Sequence, residues 1–216
     1  MTVKIKICGI TKQENIECCI ENSADMIGFV FYPDSPRNIK LKDAIAYYNQ
    51  YSSLIEMVGL VVNPEDYLVD EIINEIGLNT IQFHGDEDIN RLERLKRKSD
   101  IKIIKALPLK DLAVFDVISH YKGIVDYVLF DSPKPKKSIR PGGNGELFDW
   151  SLLSGYDSNI PYILSGGLNV NNVKKAIEET RANFVDVSSG VENELGKKDN
   201  DLIRKFIYNA NQEKLN

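Results

Sequence analysis

The chain has 216 residues, of which 43% are hydrophobic and 27% are charged. That length suits one generous domain or two small ones, and the composition excludes wholesale disorder, a collagen-like fibre and a disulfide-stapled miniprotein. The 27 basic and 32 acidic residues give a net charge of −5. No overall basic field therefore exists to hold nucleic acid or an anionic membrane, and a bound anion needs local positive charge.

The three cysteines indicate a reducing compartment. Cys8, Cys18 and Cys19 are odd in number and two are adjacent, which is not a disulfide framework. Lysines interrupt the apolar stretch of the first ten residues, so no signal peptide is expected. No apolar run approaches the roughly 18 to 20 residues that a membrane helix needs. We expect a cytoplasmic protein.

Short apolar runs recur along the chain, and stretches with apolar residues at helical spacing separate most of them. The eight runs, which predict strands, cover 3–8, 26–31, 57–62, 80–84, 101–106, 127–131, 162–165 and 184–188. Strands that alternate with helices pair in parallel through right-handed crossovers. With no linker or composition break, they predict a single-domain (β/α)8 barrel over 1–216. The alternative is an open doubly wound sheet, which usually carries a glycine-rich turn after its first strand; here such turns come late.

Local capping patterns predict where two helices begin. Thr11-Lys12-Gln13-Glu14 has the form of a capping box, which starts a helix just after the first strand. Asp149 precedes Trp150 and is expected to be an N-cap.

Chemistry in such a barrel collects at the C-terminal ends of the strands. Cys8 ends the first predicted strand and Asp131 ends the sixth. A cysteine there is more often a small buried hydrophobe, and an aspartate is as often a turn former or a cap. Packing explains Cys18 and Cys19, which lie inside the first predicted helix.

Two turns of small residues follow the last two predicted strands. They are Ser165-Gly166-Gly167 and Ser188-Ser189-Gly190. Glycines let consecutive backbone N–H groups point at an anion near a helix N-terminus. Because this fold usually binds phosphate after its seventh and eighth strands, the pair predicts a phosphate site.

Three further features are open to two interpretations. Arg37 lies in a loop stiffened by prolines; its guanidinium suits a carboxylate, although a lone loop arginine is usually solvated. His84 shares a strand face with Gln82 and is more often a hydrogen-bonded wall residue than a catalyst. The loop 132–146 is either a flexible connection or a lid. With two histidines and no HExxH or CxxC pattern, no metal site is expected.

Motifs in chain order carry a family resemblance. They are KICGIT (6–11), GFVF (28–31), SPR (35–37), VGLVVN (58–63), IQFHG (81–85), LFDS (129–132), GGNG (142–145), FDW (148–150), LSGGL (164–168) and VDVSSGVE (185–192). The chain resembles the phosphoribosylanthranilate isomerase family of tryptophan biosynthesis over nearly its full length. Where the lid motif of that family often has threonine, this chain has Asn144, and the stretch 133–137 is unusually basic.

The resemblance implies a cofactor-free (β/α)8 isomerase that performs an Amadori rearrangement on a small phosphorylated substrate. Cys8 falls on the general base, Asp131 on the general acid and Arg37 on the residue that holds the anthranilate carboxylate. The turns at 165–167 and 188–190 fall on the phosphate loops. The sequence leaves monomer and homodimer open.

Other phosphate-binding barrels are the alternatives. The related histidine-pathway isomerase has aspartate where Cys8 stands. Indole-glycerol-phosphate synthase uses a strand-end lysine and glutamate; Lys105 imitates the lysine, but no predicted strand ends in glutamate. A barrel that binds ligands without turnover has no need of both Cys8 and Asp131.

Strand alternation places Lys6 on the same face as Cys8. If that face points into the barrel, Lys6 is buried and needs a partner. Closure brings strand eight next to strand one, which predicts a Lys6–Asp186 ion pair within about 4 Å. The alternative is a rotated strand, with Lys6 in solvent and Ile7 inside.

Overall fold

Eight parallel strands close into a barrel in chain order in the computed structural model, which describes residues 3–133 and 148–212. The strands are β1 (Lys4–Cys8), β2 (Met26–Phe31), β3 (Glu56–Val61), β4 (Thr80–Phe83), β5 (Lys102–Pro108), β6 (Tyr127–Asp131), β7 (Tyr162–Leu164) and β8 (Phe184–Val187). Pairing of β1 with both β2 and β8 closes the sheet. The predicted barrel is confirmed, and the open sheet is excluded.

Helices alternate with these strands on the outside of the barrel. They are α1 (Gln13–Glu21), α2 (Leu41–Tyr51), α3 (Asp66–Glu71), α4 (Ile89–Lys98), α5 (Ala113–Ile118), α6 (Val173–Thr180) and α7 (Asn200–Ala210). A π-helical turn, Ile72–Ile76, continues α3, and a 3-10 helix, Trp150–Gly155, precedes β7. After β8 come the 3-10 helix Ser189–Val191 and a hairpin of two short strands, β9 (Glu192–Glu194) and β10 (Lys197–Lys198). The predicted lid falls largely on 134–147, which lie outside the described residues.

The first predicted helix begins just after β1, as expected, but the capping box does not form. Lys12 is the N-cap of α1 and has extended backbone, so the helix starts one residue later than the capping box requires. No side chain caps α1 as a result. The other prediction is confirmed, because the Asp149 carboxylate accepts a hydrogen bond from the Ser151 N–H at 3.0 Å.

Apolar side chains fill both faces of the sheet, as a parallel sheet covered by helices requires. Alternate residues such as Ile5 and Ile7 face the helices and are fully buried. Inside the barrel, an apolar cluster comprises Met26, Val58, Ile104, Ala106, Leu129, Ile163 and Phe184. Lys6, Gln82 and Asp186 are also buried, and hydrogen bonds join all three. Because Ile7 packs on the helix side, the rotated alternative for β1 is wrong.

Candidate active site

An open cleft of about 690 Å³, including the solvent space at its mouth, lies at the C-terminal ends of the strands. Most of the predicted site residues line it: Cys8, Arg37, His84, Asp131, Ser165, Gly166, Gly167, Asp186, Ser188 and Ser189. The apolar part of its wall comes from Val30, Leu60, Val62 and Leu168. Two predicted residues do not line the cleft. Lys6 is fully buried, and Gly190 packs against the backbone of Leu168 and Asn169.

The position of Cys8 depends on a glycine in the neighbouring strand. Cys8 ends β1 opposite Gly28 of β2 and is 3% exposed. A Cβ added at Gly28 would lie 2.9 Å from the Cys8 Sγ atom, closer than ordinary packing allows. The glycine therefore leaves the space that the sulfur occupies at the floor of the cleft.

A buried ion pair lies beside Cys8 on the same strand face. Lys6 and Asp186 are register partners across the β1–β8 closure, and the Lys6 Nζ atom lies 2.7 Å from Asp186 Oδ1. The other carboxylate oxygen of Asp186 accepts a hydrogen bond from the Ser165 hydroxyl at 3.1 Å. The predicted Lys6–Asp186 pair is confirmed, and it connects the floor of the cleft to the first glycine turn.

Burial and this ion pair act in opposite directions on the cysteine. Burial raises the pKa of the Cys8 thiol, and the positive charge of Lys6 lowers it only in part, because Asp186 raises it again. The net shift is upward, so Cys8 is a protonated thiol at neutral pH. Burial lowers the pKa of Lys6, but Asp186 and Cys8 outweigh that effect and the net shift is upward, which keeps the lysine cationic.

Asp131 ends β6 and is 6% exposed. Its Oδ1 atom accepts a hydrogen bond from the Ser132 N–H at 2.8 Å, and its Oδ2 atom lies 3.1 Å from His84 Nε2. Both oxygens are thereby held, which fixes the plane of the carboxyl group against the wall of the cleft. His84 is a hydrogen-bonded wall residue, as its sequence position indicated.

Arg37 is held by a carboxylate of the chain itself. Its Nε and Nη2 atoms donate to the two carboxylate oxygens of Glu192 at 2.6 and 2.9 Å, and the side chains are buried. This fork geometry occupies one edge of the guanidinium and fixes its plane. Since Arg37 also lines the cleft, its remaining N–H groups are the ones that can meet a ligand carboxylate.

A second buried cation completes that cluster. Lys198, on β10, donates to Glu192 Oε1 at 2.7 Å and to the Ser188 carbonyl at 2.9 Å. Burial raises the pKa of Glu192, but hydrogen bonds from Arg37 and the charge of Lys198 outweigh it and bring the pKa to about 2. Burial and the charge of Arg37 lower the pKa of Lys198. The cluster thus places two basic side chains, Arg37 and Lys198, on one buried carboxylate beside the cleft.

The two glycine turns lie against each other. Gly166 and Gly167 have φ of +80° and +67°, a backbone that favours glycine. A Cβ added at Gly190 would collide with the carbonyl oxygen of Leu168, which follows the first turn. Only glycine permits this approach, which brings the two turns together at one side of the cleft.

The remaining strand-end candidate has a structural role. Lys105 forms a buried pair with Glu87 at 2.7 Å and does not line the cleft. It therefore does not imitate the catalytic lysine of a synthase. Across residues 3–133 and 148–212, no group of three or more His, Cys, Asp or Glu side chains is arranged to hold a metal ion.

A family model described as N-(5'-phosphoribosyl)anthranilate (PRA) isomerase matches residues 5–209. The chain belongs to this PRA isomerase family. A relative from Rhodopseudomonas palustris (strain TIE-1), named N-(5'-phosphoribosyl)anthranilate isomerase, is 42% identical over 210 residues, covering 97% of this chain and 99% of the relative.

Solved PRA isomerase structures have the same fold. The enzyme from Thermotoga maritima is 37% identical, with a TM-score of 0.86 and coverage of 97% of this chain and 98% of that one. A phosphoribosyl anthranilate isomerase in complex with reduced 1-(o-carboxyphenylamino)-1-deoxyribulose 5-phosphate is 36% identical, with a TM-score of 0.83 and the same coverage. The family resemblance stated from the motifs is confirmed.

The sequence did not reveal the roles of three residues of this PRA isomerase site. Glu192 and Lys198 were not singled out, because only the fold of the β9–β10 hairpin brings them to Arg37. Gln82 was noted as sharing a face with His84, but its hydrogen bond to Lys6 at 2.9 Å joins two strands far apart in the chain. No sequence signal marks Lys198 as buried, because Lys197 and Asp199 flank it in a polar segment.

Proposed function

We propose that this chain catalyses the isomerisation of N-(5'-phosphoribosyl)anthranilate to 1-(2-carboxyphenylamino)-1-deoxyribulose 5-phosphate in tryptophan biosynthesis. The observation that carries the proposal is a thiol and a carboxyl group, Cys8 and Asp131, that line one cleft at the ends of β1 and β6. Membership of the PRA isomerase family supports the same activity.

Two anchors in the cleft suit the two anionic groups of that substrate. We assign the phosphate to the turns Ser165-Gly166-Gly167 and Ser188-Ser189-Gly190, whose glycines let backbone N–H groups approach an anion. We assign the anthranilate carboxylate to Arg37, whose plane Glu192 already fixes. Pre-set orientation lowers the entropy that binding costs, because the side chain has no freedom left to lose.

The reaction then needs one acid and one base. Asp131, once protonated, gives its proton to the ring oxygen of the ribose as the bond from that oxygen to C1′ breaks, which leaves a protonated Schiff base. The Schiff base acidifies the C2′ proton, and Cys8 removes that proton as a thiolate. The resulting enolamine tautomerises to the 1-amino-2-ketone.

The raised pKa of Cys8 makes the order of these steps important. Burial keeps the thiol protonated before substrate binds, so a new positive charge must favour its ionisation. The Schiff base supplies that charge in the step before the base acts, and Lys6 adds to it from below. The thiol releases its proton to solvent through the open cleft, so the cysteine is expected to become an effective base only after ring opening.

An assay with substrate made in situ tests the proposal. Loss of anthranilate-type fluorescence on adding the protein is the expected signal. Cys8→Ala and Asp131→Asn should each lower kcat by about 10²- to 10⁴-fold, the usual contribution of a positioned acid or base. Cys18→Ala, in α1, is the matched cysteine control and should retain turnover. Near-normal turnover in Cys8→Ala would overturn the assignment.

The remaining expectations concern the working form of the protein. We infer one catalytic domain over 1–216 that needs no cofactor or metal and works in the cytoplasm as a monomer or homodimer. The phosphoribosylanthranilate isomerase of Thermotoga maritima, 36% identical to this chain in a crystal structure of its monomers, is dimeric, so a dimer occurs in the family. Within the described ranges, no helix has the length and apolar character to cross a bilayer.

A further inference from the structure

A continuous chain of hydrogen bonds joins the buried lysine below Cys8 to Asp131 on the other side of the cleft. Lys6 Nζ lies 2.9 Å from Gln82 Oε1, Gln82 Nε2 lies 3.1 Å from His84 Nδ1, and His84 Nε2 lies 3.1 Å from Asp131 Oδ2. We propose that Gln82 and His84 are positioning residues that hold Asp131 ready to act as the acid. The inference rests on the proposed function, since it deepens the role assigned to Asp131.

The direction of each bond follows from the lysine. A lysine ammonium has three donors and no acceptor, so the Gln82 atom that faces it must be the amide oxygen. Lys6 is fully buried and is also paired with Asp186 at 2.7 Å, which keeps it charged and in place. The amide of Gln82 therefore cannot turn over without placing its NH2 group against the ammonium.

The fixed amide determines the state of the histidine. The Gln82 NH2 group has only donors, so His84 Nδ1 must accept and must lack a proton. A protonated imidazolium would put an N–H against that NH2 group and is excluded by the same geometry. His84 is therefore the neutral tautomer whose proton is on Nε2, and it donates that proton to Asp131 Oδ2.

This tautomer affects Asp131 in two ways. The Nε2–H group and the Ser132 N–H hold the two carboxyl oxygens from different sides, so the group keeps one orientation towards the cleft. A neutral imidazole adds no positive charge, whereas an imidazolium at 3.1 Å would favour the carboxylate and oppose the protonated form that ring opening needs. The lone pair of Oδ2 that faces His84 accepts the Nε2–H bond, so it cannot also carry the acidic proton. The proton of the acid must therefore lie on another lone pair of the carboxyl group.

The nitrogen spectrum of His84 tests the tautomer without any turnover. The chain has two histidines, and His120 is exposed, so a long-range ¹H–¹⁵N correlation spectrum at pH 7 of protein labelled at histidine shows only two imidazoles. The variant His120→Asn assigns them. We expect His84 Nδ1 to show the shift of an unprotonated nitrogen and Nε2 that of a protonated one. A protonated Nδ1 in the native protein would overturn the proposal.

A substitution at Gln82 then tests the link to catalysis. Gln82→Glu offers an oxygen to both Lys6 and His84, so it should move the proton onto Nδ1 and lower kcat by about tenfold to a hundredfold, part of the effect of a positioned acid. KM and inhibition by inorganic phosphate should change less than threefold. Gln50→Glu makes the same chemical change on the exposed surface and is the matched control.

Gln82→Met keeps the volume without adding a buried charge and serves if the glutamate variant does not fold. It should release His84 to a mixture of tautomers and also lower kcat. Variants that fold, keep native kcat and leave the His84 shifts unchanged would overturn the inference. Native turnover in Asp131→Asn would overturn the role of Asp131 as the acid, and with it this inference. Absence of turnover in the native protein would instead overturn the proposed function, and the tautomer read from the His84 spectrum would still stand.

Discussion

Replacing Lys6 by methionine removes the only cation that contacts Asp186 among the described residues. Lys6 Nζ donates to Asp186 and Gln82 at 2.7 and 2.9 Å and is fully buried, so the variant leaves Asp186 charged, buried and supported only by the Ser165 hydroxyl. Breaking a buried ion pair in this way costs about 3–5 kcal/mol. That is a large part of the roughly 5–15 kcal/mol by which a domain is stable.

Chemical denaturation at pH 7 measures this loss. The double variant Lys6→Met/Asp186→Asn removes both charges and is the matched control, because it leaves no ion without a partner. Its free energy of unfolding should be closer to that of the native protein than to that of the single variant. A double variant that is as unstable as Lys6→Met would refute the assignment of the cost to an unpaired carboxylate.

The same substitution should change the reactivity of Cys8. Among the described groups, Lys6 has the largest lowering effect on the pKa of Cys8, so its removal raises that pKa further. The pH midpoint of alkylation by iodoacetamide should therefore move upward. A background of Cys18→Ala and Cys19→Ala leaves Cys8 as the only thiol in the chain. An unchanged midpoint in Lys6→Met would refute a role for the lysine in tuning the cysteine.

Three further substitutions test other parts of the site. Gly28→Ala places a methyl group 2.9 Å from the Cys8 sulfur and 3.2 Å from its Cα atom, so kcat should fall about tenfold or more and overpacking should cost about 1–3 kcal/mol of stability; native kcat would contradict this. The pKa of Glu192 is about 2, below its ordinary 4.5, so its contribution to stability is complete above pH 4.5 and is lost as the pH falls to 2. Glu192→Gln should therefore cost about 3 kcal/mol at pH 7 and much less at pH 2.5 by denaturation, and an equal loss at both would be inconsistent with this linkage. Arg37→Ala should weaken substrate binding at least tenfold, the value of a charged hydrogen bond, with inhibition by inorganic phosphate retained; loss of that inhibition would show that Arg37 is misplaced.

The strands were predictable because a parallel sheet covered by helices needs short apolar runs on every strand. Each of the eight runs matches a strand within two residues at either end. Alternation of side chains along β1, together with closure of the barrel, was sufficient to predict the Lys6–Asp186 pair. Local capping was less reliable: α1 begins just after β1, as predicted, but its N-cap is Lys12 rather than Thr11, and the capping box does not form.

The site was predictable where a strand end determines position, and not where a loop folds back. Cys8 and Asp131 end their strands, so their shared cleft follows from the barrel alone. Lys198 reaches Glu192 only through the β9–β10 hairpin, whose pairing has a register irregularity. The role of Gln82 depends on which end of its amide faces Lys6, and that requires coordinates of two strands that are not adjacent in the barrel.

The central claim is tested most directly by a crystal structure of the protein with a product analogue. The analogue is reduced 1-(o-carboxyphenylamino)-1-deoxyribulose 5-phosphate. The phosphate should lie on the turns at 165–167 and 188–190, with the anthranilate carboxylate on Arg37. The Cys8 sulfur should lie within about 4 Å of C2′, and the Asp131 carboxyl group should lie on the side of the ribose oxygen that leaves C1′. A phosphate bound away from both turns, or a C2′ atom out of reach of the Cys8 sulfur, would contradict the assignment of the acid and the base.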